Sequence, residues 1–421
     1  MTSSELYGIA LWLVVGWPLL LVLPVVRRQL PCPHYLAIVP AAMLFLSLLL
    51  SPGTVSLNLP WLLFDAGLSM DDDRRWLLLM TVVIWLLAAP LERRQRLSGT
   101  HWQSSLYLLT LAGSLGVVMA DDLVGFFSFS TLMGYGFYGL LIQPGNALAG
   151  AAARRYLICL VIADLLLFEA LLLAAFYGES LQFSALAEAM AGSSVLPLYL
   201  LIVFAAFALK VGFWPLHFWL HTAYRSASPL SFLLLALPVA LGLFGLVRWL
   251  PLAAFHDQTT ALTLQLIGAA AMLYAALRWF HSATRPAWQS LFASGLVIFL
   301  LGAGMANSLW WQQHGAGLIY PVIATVGIAL ALLRGSCSPS STPLPSSCVA
   351  DLFRLISGEI FCGCRSIYQR IGVACSGDHW RWVGKCCRLV NEQWFTPLLA
   401  SWRGAITLFV LLGITLAWLV G

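Results

Sequence analysis

Phe204-Ala-Ala-Phe-Ala-Leu-Lys210-Val-Gly212-Phe-Trp-Pro215-Leu-His217-Phe-Trp219-Leu-His221-Thr-Ala-Tyr-Arg225-Ser-Ala-Ser-Pro229-Leu-Ser231 is the stretch whose reading decides the fold. It opens as the end of an uncharged apolar run, residues 198–209, that reads as a transmembrane helix. A lysine then appears at depth. Only one other residue of the chain is a lysine, Lys385 in a polar tail. An ammonium at the centre of a membrane helix costs about 2.5–3.5 kcal/mol on insertion scales, so such a residue points to a functional site facing the bundle interior. Gly212 and Pro215 follow within five residues. Proline removes a backbone donor and clashes one turn back, which predicts a discontinuous helix beside the lysine. Irregular backbone at membrane depth is tolerated where it lines a cavity, and transporters place ion sites there.

Outward from this stretch the whole chain is apolar. Hydrophobic residues make up 61% and charged residues 9%, with mean hydropathy +0.88. Soluble domains carry about 25% charged residues. The composition predicts an all-α integral membrane protein, and 421 residues allow about twelve spans. We place them near 6–26, 34–51, 76–90, 104–120, 123–142, 156–177, 194–214, 229–250, 262–280, 288–306, 315–333 and 404–420. Residues 6–26 read as a first span rather than a cleaved leader. Glu5 and no basic residue precede them, and Arg27-Arg28 follow. Arginines recur after odd-numbered spans, as Arg93-Arg94, Arg154-Arg155, Arg225, Arg285 and Arg334. Acidic residues recur after even-numbered spans, as Asp71-Asp72-Asp73, Asp121-Asp122, Glu179 and Asp257. By the positive-inside rule both termini are expected outside, periplasmic in a bacterial inner membrane. The net charge of +5 reflects these membrane-surface arginines and does not indicate a nucleic-acid partner.

The expected organisation is a bundle over 1–334, with its core repeat over about 104–250, then a different segment over 335–403 and a final span over 404–421. The middle segment starts as a Pro/Ser-rich linker, residues 336–347, and continues as a basic amphipathic, Cys-rich stretch expected on the cytoplasmic membrane face. Seven of the nine cysteines fall between Cys337 and Cys387, including Cys362-Gly-Cys364 and Cys386-Cys387. None has the C-x₂-C spacing that zinc and iron–sulfur sites favour, so no metal is assigned.

Lys210, Pro215-Leu-His217-Phe-Trp219-Leu and Pro229-Leu-Ser231 together resemble the antiporter-like membrane subunits of respiratory complex I. The same module occurs in Mrp antiporters, membrane-bound hydrogenases and inorganic-carbon-accumulating complexes. The pattern reads roughly K-x-x-x-x-P-x-H-x-W-L, then P-x-S. The resemblance implies that Lys210 is a proton carrier and that His217 relays protons. It implies a subunit that moves protons or Na+ with other membrane subunits. No catalytic chemistry and no cofactor site is readable in the chain, so any NADH:quinone oxidoreductase-like or hydrogenase activity would belong to an assembly. The other reading is a degenerate, non-pumping scaffold, or a membrane partner in an inorganic-carbon-uptake complex.

Each candidate also has a plainer reading. Lys210 is either a proton carrier or a fixed counter-ion. Asp164 and Glu169 stand five residues apart in one apolar helix, about 140° around it, and one of them is expected to pair with Lys210. Asp164 also falls where relatives often carry an acid. His217 and His221 share a helix face past Pro215. They are read as a proton relay, a polar interface or, least, a metal pair, since no third ligand is apparent. His221 stands where the family has proline. The family's span-five glutamate aligns with Thr131, and its next ionisable position falls near Ala240. Arg285-Pro-Ala-Trp-Gln-Ser290 has no embedded lysine, and the second half of the family repeat looks shortened. Gly134-Tyr-Gly136-Phe-Tyr-Gly139 spells GxGxxG inside an apolar span, which reads as close helix packing and not a dinucleotide site.

Overall fold

The computed structural model describes residues 3–30, 33–50, 53–59, 66–96, 101–178, 181–190, 193, 195–251, 258–281, 285–306 and 308–332. The linker, the Cys-rich segment and the final span expected over 335–421 lie outside the described residues, as do Glu179, Asp257 and Arg334.

The described chain is helical apart from one hairpin. The helices are α1 (Ser3–Val22), α2 (Pro24–Gln29), α3 (Pro33–Leu36), α4 (Val39–Leu50), α5 (Arg75–Arg96), α6 (His101–Met119), α7 (Leu123–Ile142) and α8 (Ala147–Tyr177). After them come α9 (Phe183–Met190), α10 (Leu196–Val211), α11 (Phe218–Ser226), α12 (Pro229–Leu234), α13 (Ala236–Trp249), α14 (Gln258–His281), α15 (Arg285–Met305) and α16 (Ser308–Leu332). Among the described residues, seven helices are long and apolar enough to cross a membrane. Shorter apolar helices cover Gly8–Val22, Leu196–Val211 and Gly317–Leu332. A helix lies on each of the first eleven expected spans, and the twelfth is among the residues not described.

The departures from expectation are local. Between α4 and α5, an antiparallel hairpin pairs β1 (Val55–Leu59) with β2 (Ala66–Met70), Val55 opposite Met70 and Leu59 opposite Ala66. Two five-residue runs gave too short a period-2 signal to stand out from a loop. Asp122 holds this hairpin to the bundle. It caps α7 by accepting from Gly125 N at 2.6 Å, and its other oxygen accepts from Gly67 N at 2.9 Å. One carboxylate thus satisfies donors of two elements, the usual work of a helix N-cap extended to a neighbour. α8 starts at Ala147, nine residues before the expected 156, because Asn146 caps it with an acceptor for Ala149 N at 2.7 Å. Arg154 and Arg155 are therefore exposed positions within a 31-residue helix, about 46 Å long, and not a loop.

Small residues set the packing around the future site. A Cβ on Gly134 would meet Leu160 Cδ1 at 2.7 Å, and one on Gly139 would meet Leu106 Cδ1 at 2.7 Å. These glycines let α7 lie tightly between α6 and α8, as the small-residue reading of GxGxxG expected. α12 and α13 together form the most enclosed span, Pro229–Trp249, fully buried within the bundle. It breaks at Leu235, and Pro238 has no N–H to offer the Leu234 carbonyl one turn earlier.

Candidate functional site

α10 ends at Val211, so Lys210 sits in its last turn, where the negative end of the helix dipole favours a cation. The break comes at Gly212 and not at Pro215. Gly212 adopts φ 70°, a left-handed conformation that costs glycine nothing. Phe213 N donates to Ala208 O at 2.8 Å and Gly212 N to Leu209 O at 3.3 Å, closing the helix in a Schellman arrangement. Trp219 Nε1 also donates to Leu209 O, at 2.8 Å. The carbonyls released by the break are therefore satisfied inside the protein, as the membrane requires. The chain then runs through a cis Trp214–Pro215 bond to His217, which stands at the N-cap of α11.

Three helices converge on the lysine. Lys210 Nζ lies 2.7 Å from Asp164 Oδ1 on α8 and donates to Ser130 Oγ on α7 at 2.9 Å. The Lys210 and Asp164 side chains are 6% and 10% exposed, so both charges are out of bulk water. A small cavity adjoins the ammonium, lined among others by Ser130, Met133, Tyr156, Cys159 and Pro238. Tyr156 stacks edgewise on Phe137 and on Trp219, ring centroids 5.4 and 5.0 Å apart, and so walls the site with aromatic carbon.

The 140° separation on α8 decides between the two acids. Asp164 points inward. Glu169 is exposed on the outward face with Leu165, Phe168 and Leu172, and the structure does not bring it to Lys210. Thr131, aligned with the family glutamate, is likewise not what meets the ammonium. Its Oγ1 is buried without a hydrogen-bond partner, while Ser130, one residue earlier, makes the contact. Ser130 was missed because a serine in an apolar helix carries no signal until the lysine opposite it is known. Ala240 is fully buried in α13 and supplies no ionisable group.

The two histidines belong to a second cluster. The His217 ring lies 5.5 Å from Tyr274 on α14 and 5.6 Å from Trp288 on α15. His221 lies 6.0 Å from the same Trp288, over which Arg278 also stacks at 5.3 Å. Among the described residues, no group of three or more His, Cys, Asp or Glu side chains is placed to hold a metal ion.

Chemically, the lysine site can do one thing well. It holds an ammonium against one carboxylate and one hydroxyl in a medium of low dielectric. Loss of the proton leaves a neutral amine beside a carboxylate, so the two states differ by a single buried charge, which is what makes such a group sensitive to charges arriving nearby.

Residues 120–280 match the family described as NADH:quinone oxidoreductase/Mrp antiporter, TM. The chain is 30% identical over 229 residues to NAD(P)H-quinone oxidoreductase chain 4 1 of Synechococcus sp. (strain JA-2-3B'a(2-13)), covering 52% of this chain and 43% of that protein. It is 27% identical over 190 residues to a probable K(+)/H(+) antiporter protein of Rhizobium meliloti (strain 1021), covering 44% and 35%. These matches thus span less than half the length of those two relatives. Among solved structures, the Mrp complex from Dietzia sp. DQ12-45-1b contains a chain of the same fold, with TM-score 0.63 and 17% identity, covering 96% of this chain and 78% of that one. The membrane-bound sulfane sulfur reductase, an archaeal respiratory membrane complex, contains another, with TM-score 0.61 and 17% identity, covering 95% and 85%. The resemblance read from Lys210, Pro215, His217 and Trp219 thus extends to family, relatives and fold.

Proposed function

We propose, starting from the match of residues 120–280 to the NADH:quinone oxidoreductase/Mrp antiporter family, that this chain is a membrane subunit that moves protons (or Na+) within a multi-subunit assembly. Lys210 is its carrier and Asp164 the partner that holds the ammonium charged. The observation behind this reading is the three-helix contact, Nζ at 2.7 Å from Asp164 Oδ1 and 2.9 Å from Ser130 Oγ, at the point where α10 stops and a cavity begins. A structural ion pair needs neither the helix break nor the cavity. His217 and His221, on the far side of the break, would pass the proton onward toward Trp288 and Tyr274. Sequence position alone links them to the lysine.

Ser130→Ala tests the reading without removing a charge. A hydrogen bond to a charged group contributes about 1.5–3 kcal/mol, so proton movement in vesicles carrying the assembled complex is expected to slow by tenfold or more, with assembly intact. An unchanged rate would instead favour the scaffold reading, which Ala240 supports by leaving the next family position without a proton acceptor.

The proposed setting is a bacterial inner membrane with both termini periplasmic, supported by the arginine bias of the odd-numbered connections. A thiol reagent confined to the outside of intact cells is expected to miss Cys362 and Cys386. Ready labelling of both would reverse the orientation.

A further inference from the structure

A second buried acid–base pair lies in the N-terminal helices, apart from the lysine site. Glu92, near the end of α5, is 0% exposed. Ser104 on α6 donates to its Oε1 at 2.7 Å. His34 on α3 brings Nε2 to 2.8 Å from its Oε2 and is itself only 4% exposed. Neither imidazole nitrogen has hydrogen-bond geometry to a protein atom, so the ring is held by charge and packing. Tyr107 stands edge-on to it, centroids 5.3 Å apart, and its hydroxyl donates to the Trp85 carbonyl at 3.4 Å. Trp85 Nε1 donates in turn to Ser114 Oγ at 2.8 Å, so a polar seam continues along α6 from Ser104. The titratable and charged groups around the pair are Tyr35 on α3, Arg93 on α5 and Tyr107 on α6. Arg27 on α2 approaches α6 through Ser105, donating to its Oγ at 3.0 Å.

A fully buried carboxylate without a counter-charge costs several kcal/mol. A lysine or arginine beside it would make the compensation permanent. An imidazole makes it exchangeable, because histidine is the side chain whose unperturbed charge change falls in the physiological range. The pair also lies where the arginine-rich ends of α2 and α5 meet the start of α6, near a membrane surface and not at its midplane. A group that only glued helices together would need no ionisable ring there.

We propose that His34 and Glu92 form a second proton-binding site, distinct from Lys210, which exchanges one proton with water on the arginine-rich side of the bundle. On loading, the proton adds to the imidazole and an imidazolium faces the carboxylate. On release it returns to water, and Ser104 keeps hold of Glu92. No other bond changes. The site stands whether or not Lys210 carries protons.

The test is a pH titration of the full chain in lipid nanodiscs, followed by infrared difference spectra of imidazole and carboxyl bands. A protonation step between about pH 5 and 9 is expected in the wild type and absent in His34→Gln. In Glu92→Gln the His34 step is expected to move down by at least one pH unit, a tenfold weaker hold on the proton. If Glu92→Gln does not fold, His34→Lys keeps a cation beside the carboxylate, is expected to fold, and should lose the step. A wild type without a step, a midpoint untouched by Glu92→Gln, or a step that persists in His34→Lys would each overturn the proposal.

Discussion

Lys210→Ala is expected to reduce ion movement to background while the protein still inserts and folds. The lysine is the one ammonium among the described residues, and its side chain is 6% exposed in an otherwise apolar helix. Removing it eases insertion by about 2.5–3.5 kcal/mol on translocon scales, so a loss of activity cannot be put down to a failure to enter the membrane. Asp164 would then be left without its cation, and the natural response is to take up a proton and become neutral. The carrier would be gone and its partner locked in one state. The check is proton uptake by vesicles carrying the assembled complex, normalised to the amount of chain found in the membrane. Transport within a few-fold of wild type would mean that the path bypasses this site.

The opposite truncation should behave differently. Asp164→Ala leaves an ammonium buried against Ser130 alone, and breaking a buried pair from one side costs about 3–5 kcal/mol. Destabilisation of that order, read as a lower thermal midpoint in detergent, is therefore expected together with loss of transport. The double variant Lys210→Ala/Asp164→Ala should recover most of the stability and none of the transport, because replacing both charges removes the uncompensated one. That non-additivity distinguishes a true pair from two residues that merely share a cavity. Single-variant effects that simply add would show that the 2.7 Å contact does not matter energetically.

Much of this architecture could be read from apolar run lengths, because a membrane admits little besides closed-ladder helices. The lysine, the break and the inward acid were legible for the same reason: each is an expensive exception in hydrocarbon. What was not legible depends on facing. The 140° between Asp164 and Glu169 says that one faces away, and only tertiary packing says which. Ser130 and Thr131 are adjacent hydroxyls in one apolar helix, and a one-residue alignment offset exchanged them. Proline was expected to end α10, but Gly212 ends it earlier, since a left-handed glycine can close the helix with its own amide bonds. His34 and Glu92 were passed over because each sits beside residues that read as interfacial, Pro33 and Arg93-Arg94, 58 positions apart in the chain. The hairpin was missed because its strands are five residues long and run into the acidic connection Asp71-Asp72-Asp73.

The central claim is that Lys210 works by giving up its proton and not by being positive. Lys210→Arg isolates that difference. The guanidinium keeps the charge, can still pair with Asp164 and can donate to Ser130, but it does not deprotonate in proteins. Proton movement should be measured in vesicles containing the assembled complex, with the variant confirmed in the membrane at wild-type level. We predict that transport falls to the level of Lys210→Ala. Transport retained with arginine would contradict the account, leaving Lys210 a fixed counter-charge and the chain a scaffold around it.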